Sequence, residues 1–300
     1  MGEAWFMAAE REMYPRLFDA LDSLTDDEIE KALEQTAIGP GSFGQLREWT
    51  IWYHYLLPRL IDRQWRSGFW HPVELLITAF MAQHPESNGD WPYRGFRTDA
   101  LRTLGRYIMS PHFWPGGELD VGECLNKRER RNGLFGWFDA DGLFSASLFF
   151  CVKYLPAEAV EAWFQSVLAI PNRYWRAQLI TWLVGAHPIL TGEIGQPAEL
   201  PDHGQFRVGW NWSHTLDGHF TGDFRPPIRR VPFLPADNRQ AVLQVAGAME
   251  VEAFFEDLLT DPELATVAAE VADMPALFLQ FYRTGPRSAD ILPSESPSEH

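Results

Sequence analysis

Apolar residues recur along most of this chain at intervals of three and four, the spacing that lines one face of an α-helix. Phe6, Ala9, Met13, Leu17 and Leu21 form such a stripe and predict a helix over 4–21. Thr25 and Glu28 have the spacing of a capping box, which predicts a second helix through Ala37. After the break at Gly39-Pro40-Gly41, a long helix is expected over 43–66. Its inward face is Leu46, Trp49, Tyr53, Leu56, Leu57 and Leu60, with a kink at Pro58. Residues 72–84 repeat the pattern in Val73, Leu76, Ile77, Phe80 and Met81. Thr98 and Asp99 open a helix carrying Leu101, Leu104 and Ile108, and the charged stretch 124–132 is expected as a short exposed helix. An apolar helix follows over 143–154. Pro156 stands in the first turn of the next, where its missing N–H costs little; that helix carries Val160, Trp163, Phe164, Val167 and Leu168. Beyond Pro171 and Asn172, another face reads Trp175, Leu179, Trp182, Leu183 and Ala186.

The helical period is lost over 191–237, which is dense in Gly and Pro and carries Trp210, Trp212, His203, His214 and His219. A long irregular stretch inside a compact domain is uncommon and often functional. Its one strand-like piece, 205–208, is expected to pair with 228–233. Helices resume over 238–259 and again from Asp261-Pro262 through Leu277, Phe278 and Phe281. The Pro-, Ser- and Glu-rich tail 284–300 is expected to be disordered. The expected architecture is therefore one all-α domain over 1–283: a helical array over 1–190, the Trp/His-rich insert over 191–237, and C-terminal helices over 238–283. Its Pro-marked helix pairs resemble the HEAT-like style of α-solenoid. The chain has no repeat of fixed period, so an irregular helical bundle accounts for the same pattern.

Composition changes this picture in three ways. Thirteen Trp and 21 Phe supply large rings that fill wide gaps between helices or line a groove. The net charge of −16 disfavours nucleic acid and anionic membranes and suits a basic protein partner. Two cysteines, Cys124 and Cys151, make no disulfide framework. With neither a signal-peptide pattern nor an apolar run of spanning length, the cytoplasm is the expected compartment.

Candidate chemistry concentrates in the insert. His214, Asp217 and His219 carry ligand types suited to a divalent transition metal, although their spacing matches no established metal motif. Trp210, Trp212 and Phe224 are candidate walls of a pocket. Arg229 and Arg230, with Arg225, form a basic group able to grip an anion. Lys127, Arg128, Arg130 and Arg131 form a second such group. Gly39, Gly41 and Gly44 match the letters of a dinucleotide loop but follow a predicted helix rather than a strand. Cys151, among Phe149 and Phe150, reads as a packing residue.

Two functional classes follow. The first is an interaction module or complex subunit with no cofactor, binding a basic protein partner; one concrete form is a bacterial immunity or antitoxin-type protein. The second is an all-α enzyme or ligand-binding protein, with a site over 203–224 and a divalent transition metal as its cofactor.

Overall fold

The computed structural model of the 300-residue chain describes residues 3–6, 9–12, 23–25, 28, 53–55, 70–85, 93–105, 125–129, 135–140, 142–171, 173–202, 207–210, 212–216, 232–260 and 273–283. The helices among them are α1 (Trp70–Gln83), α2 (Phe96–Thr103), α3 (Gly142–Tyr154), α4 (Ala157–Leu168), α5 (Arg173–Thr191), α6 (Ala236–Gly247), α7 (Val251–Thr260) and α8 (Met274–Tyr282). They form an irregular multi-helix array of the all-α class, to which two small sheets are added.

The array is organised by α3. All thirteen of its residues are buried, as its lack of a polar face requires. Phe150 meets Phe80 of α1 edge-on, and Phe144 and Phe149 meet Trp175 and Trp182 of α5. The expected inward face of α5 is wholly buried at Trp175, Leu179, Trp182, Leu183 and Ala186. On α4, Val160, Phe164 and Val167 are buried as expected, and α4 packs along α6. Tyr53 is also inward, its hydroxyl donating to the Leu76 carbonyl at 2.7 Å.

Local chemistry sets several boundaries. Thr25 and Glu28 form the expected capping box: the Thr25 N–H donates to Glu28 Oε2 at 2.9 Å, and the Glu28 N–H donates to Thr25 Oγ1 at 3.4 Å. Gly95 takes φ +91° before α2, which therefore starts at Phe96, ahead of Thr98. Gly192 takes φ +84° just past α5, a left-handed conformation that glycine adopts without a Cβ clash. Cys151 is a packing residue, its thiol donating to the Gly105 carbonyl at 3.0 Å.

Two local expectations are corrected and a third is met in part. Within 4–21, Glu3–Phe6 (β1) and Ala9–Glu12 (β2) form an antiparallel pair instead of a helix. Within 124–132, Leu125–Glu129 (β3) is a strand paired antiparallel with Phe135–Ala140 (β4). In the first stretch backbone pairing overrides the helical spacing, and the second, nine residues long, is too short for apolar spacing to separate a period of 3.6 from one of 2. The strand expected in the insert is present as Arg207–Val208 (β5), paired in parallel with β4 with Asp139 opposite Arg207, and 228–231 of its expected partner lie outside the described residues. The predicted helix over 43–66 is described only at residues 53–55, which are helical, and the tail 284–300 lies outside the described residues.

Ser147, Gln178 and Trp182 are buried core residues whose side-chain polar atoms meet no hydrogen-bonding group, and Gln178 carries two of those atoms. Gln178 is 1% exposed, yet neither its amide nitrogen nor its oxygen meets a hydrogen-bonding group. An unmade buried hydrogen bond costs about 1–3 kcal/mol, and an apolar group of similar shape removes the cost. Gln178→Leu is expected to raise the midpoint of thermal unfolding, read by circular dichroism. A lowered midpoint would show that the amide is bonded after all.

Candidate functional site

The described parts of the insert are held to the core at two places. At its neck, the Phe233 N–H donates to the Gly195 carbonyl at 3.1 Å, so entry and exit lie side by side. The Phe233 carbonyl in turn accepts from Lys153 Nζ of α3 at 2.6 Å. Midway along, Trp210 inserts into the core. Its ring stacks on Phe149 at 5.3 Å and 15°, and its Nε1–H donates to Thr78 Oγ1 at 2.9 Å. The same hydroxyl donates to the Glu74 carbonyl at 2.7 Å, so both of its hydrogen-bonding roles are used.

A 3₁₀ turn over Ser213–Leu216 follows. It is preceded by the Trp212 N–H, which donates to the buried carboxylate of Glu74 at 3.3 Å, while Ser213 Oγ donates back to the Trp210 carbonyl at 3.0 Å. Of the residues singled out in the insert, Trp210 is therefore a buried anchor and Trp212 is half-buried beside α1. His214 has its backbone in the 3₁₀ turn. Asp217, His219, Phe224, Arg229 and Arg230 lie outside the described residues, as do His203 and Arg225. Lys127 and Arg128 lie on β3, and Arg130 and Arg131 are again outside. Among the described residues, no three or more His, Cys, Asp or Glu side chains are grouped to hold a metal.

Lys153 is the most confined cation described. It is 3% exposed, bonded to a carbonyl and set 4.6 Å over the Phe233 ring. Burial disfavours its charged form and lowers its pKa to about 8.

A second constellation joins residues 30 apart in sequence. Nε2 of His54 and Nε2 of His84 face each other at 3.2 Å. Phe96 stands 5.1 Å from the His54 ring and 5.2 Å from the His84 ring, and Phe80 lies 4.7 Å from His84. The Tyr154 hydroxyl donates to the His84 carbonyl and fixes the end of α1. Burial lowers both imidazoles to a pKa of about 4; for His84 the neighbouring His54 adds to the effect. Both are therefore neutral at neutral pH, able to pass a proton or to offer a nitrogen lone pair. Tyr93, half-exposed, donates to Asp99 at 2.8 Å and packs on Phe96 at the rim. Nothing in the spacing of His54 and His84 flags them. The only local signals are the aromatic run Trp52-Tyr53-His54-Tyr55 and the placement of His84 before Pro85.

Comparison with protein-family models, with curated proteins and with solved structures finds no match.

Two measurements test these attachments. Thr78→Val leaves the buried Trp210 N–H without its acceptor and is expected to cost about 1–3 kcal/mol in urea unfolding. In a Trp210→Phe background the same change should cost much less; an undiminished cost would mean that the two residues are not coupled. For Lys153, the unfolded chain keeps its proton to about pH 10.4, whereas the folded chain releases it near pH 8. The unfolded state thus binds more protons in that window, and stability rises with pH through it. The urea midpoint should climb from pH 7.5 to 9.5, and Lys153→Met should flatten that climb.

Proposed function

We propose that this protein is a helical interaction module or complex subunit that binds a basic protein partner. The observation that carries this reading is a separation of charge. Among residues 157–273 whose exposure is described, every exposed charged side chain is acidic. Glu158 and Glu161 lie on α4, Glu193 and Glu199 at the start of the insert, and Asp237 on α6. Glu250, Glu252 and Glu256 lie at and along α7, and Asp273 precedes α8. The two cations of the same region whose exposure is described are both half-buried. Arg176 lies over the Phe254 ring at 5.3 Å, and Arg239 donates to the Leu190 carbonyl at 3.4 Å.

A surface of one sign raises encounter rates with an oppositely charged protein and repels nucleic acid. Among the described residues no helix is long and apolar enough to cross a membrane, which accords with a partner in solution. The finer architecture reads as a bundle around α3 rather than an open solenoid, because a helix enclosed on every side suits a bundle core. An immunity or antitoxin-type role for a basic effector is one form of this proposal, and the cytoplasm is the compartment it suits.

Association rates with a panel of small basic proteins and a matched acidic panel test it. The expected outcome is binding confined to basic members and slowed at least about tenfold between low and physiological salt. It should be slowed further in the Glu158→Gln/Glu161→Gln or Glu252→Gln/Glu256→Gln variants. Equal binding to acidic proteins, or no binding to either panel, overturns the reading.

A further inference from the structure

We propose that His54 and His84 form a two-imidazole site for one divalent transition-metal ion of the zinc, copper or nickel class. The argument starts from how the rings meet. Their Nε2 atoms are 3.2 Å apart, their centres 5.1 Å apart, and their planes inclined at 59°. In a straight N–H···N hydrogen bond both rings would point along the line between the nitrogens. With each nitrogen about 1.15 Å from its ring centre, that alignment puts the centres about 5.5 Å apart. If both nitrogens instead point at one ion about 2.0–2.1 Å away, the angle at the ion is about 100° and the centres fall about 5.0 Å apart. The observed 5.1 Å accommodates the second arrangement, as it does a hydrogen bond bent by about 35° at each ring, so the rings already converge as two ligands of one ion must. Two nitrogens 3.2 Å apart would therefore subtend at such an ion an angle of about 100°, which tetrahedral zinc accommodates.

The surroundings hold the rings for this purpose. His54 is met edge-on by Phe96 at 71° and by Tyr53 at 82°. His84 lies against Phe80 and Phe96, and its backbone carbonyl is fixed by Tyr154. Ligand rings whose orientation is set by packing are pre-organised for binding. Imidazole nitrogens select borderline transition metals; magnesium and calcium require oxygen ligands. The ion would tie the helical residues 53–55 to the end of α1, leaving its other positions to water or to a small anionic ligand. This site is separate from the acidic surface and stands or falls without it.

The test uses the full chain, stripped with a chelator and titrated with cobalt(II), then zinc. The expected result is one ion per chain, with affinity reduced at least about tenfold in His54→Ala and in His84→Ala. His54→Cys should retain binding and add an intense near-ultraviolet thiolate-to-cobalt band. Should a variant fail to fold, zinc titration of the isotope-labelled wild-type chain reads the same site, because the imidazole resonances of His54 and His84 should shift together. Absence of binding overturns the proposal. So does binding that survives both alanine variants, or that disappears only in His214→Ala and His219→Ala.

Discussion

A helix with apolar side chains on every side cannot stand against water, and α3 is such a helix. Several neighbouring elements enclose it. α1 covers it through Phe80, α5 through Trp175 and Trp182, and the insert through Trp210 and Phe233. The high aromatic content follows from the same constraint, since few helices must fill wide gaps with large rings. Polar groups caught in that core need partners. Lys153 reaches the Phe233 carbonyl, and Asn238 donates to the carbonyls of Val152 and Leu155, closing the end of α3. Covering α3 therefore also ties the neck of the insert and the start of α6 to it.

The distribution of charge follows from this packing. A cation with a long apolar stem can lie along a ring or a carbonyl row, as Arg176, Arg239 and Lys153 do. Short carboxylates gain less from such positions, and while Glu74 of α1 is buried, the described ones on α4, α6 and α7 face water. In a chain with 41 acidic and 25 basic residues, the inward placement of Arg176 and Arg239 leaves the described exposed charges of α4, α6 and α7 acidic. The proposed partner binding rests on those charges, and the proposed metal site rests on the opposite circumstance: two neutral imidazoles in an aromatic niche.

Much of the helical framework was legible because helical period is a local signal. The faces of α1, α4 and α5, the capping box at Thr25, the inward Tyr53 and the packing role of Cys151 could each be read from a few adjacent residues. The insert was legible as irregular and Trp-rich, which marked its place but not its attachment. Of its candidate residues, Trp210 proved to be held by Thr78, 132 positions earlier, and no spacing rule reaches that far. Of the strands, β5 was legible within the strand-like piece 205–208, whereas β1 to β4 were not, for a related reason. Each of these four is four to six residues long and is specified by the strand beside it rather than by its own pattern.

By itself, then, the sequence determined the all-α class, the buried faces of the main helices and the overall acidity, because these depend on local period and on composition. Only the tertiary structure decided which residues meet. It brought His54 to His84, seated Trp210 between Phe149 and Thr78, and turned arginines inward from the acidic helices. The physical reason is that such contacts are selected by the shape and hydrogen-bonding needs of a core assembled from distant segments, and no short stretch of chain carries that information.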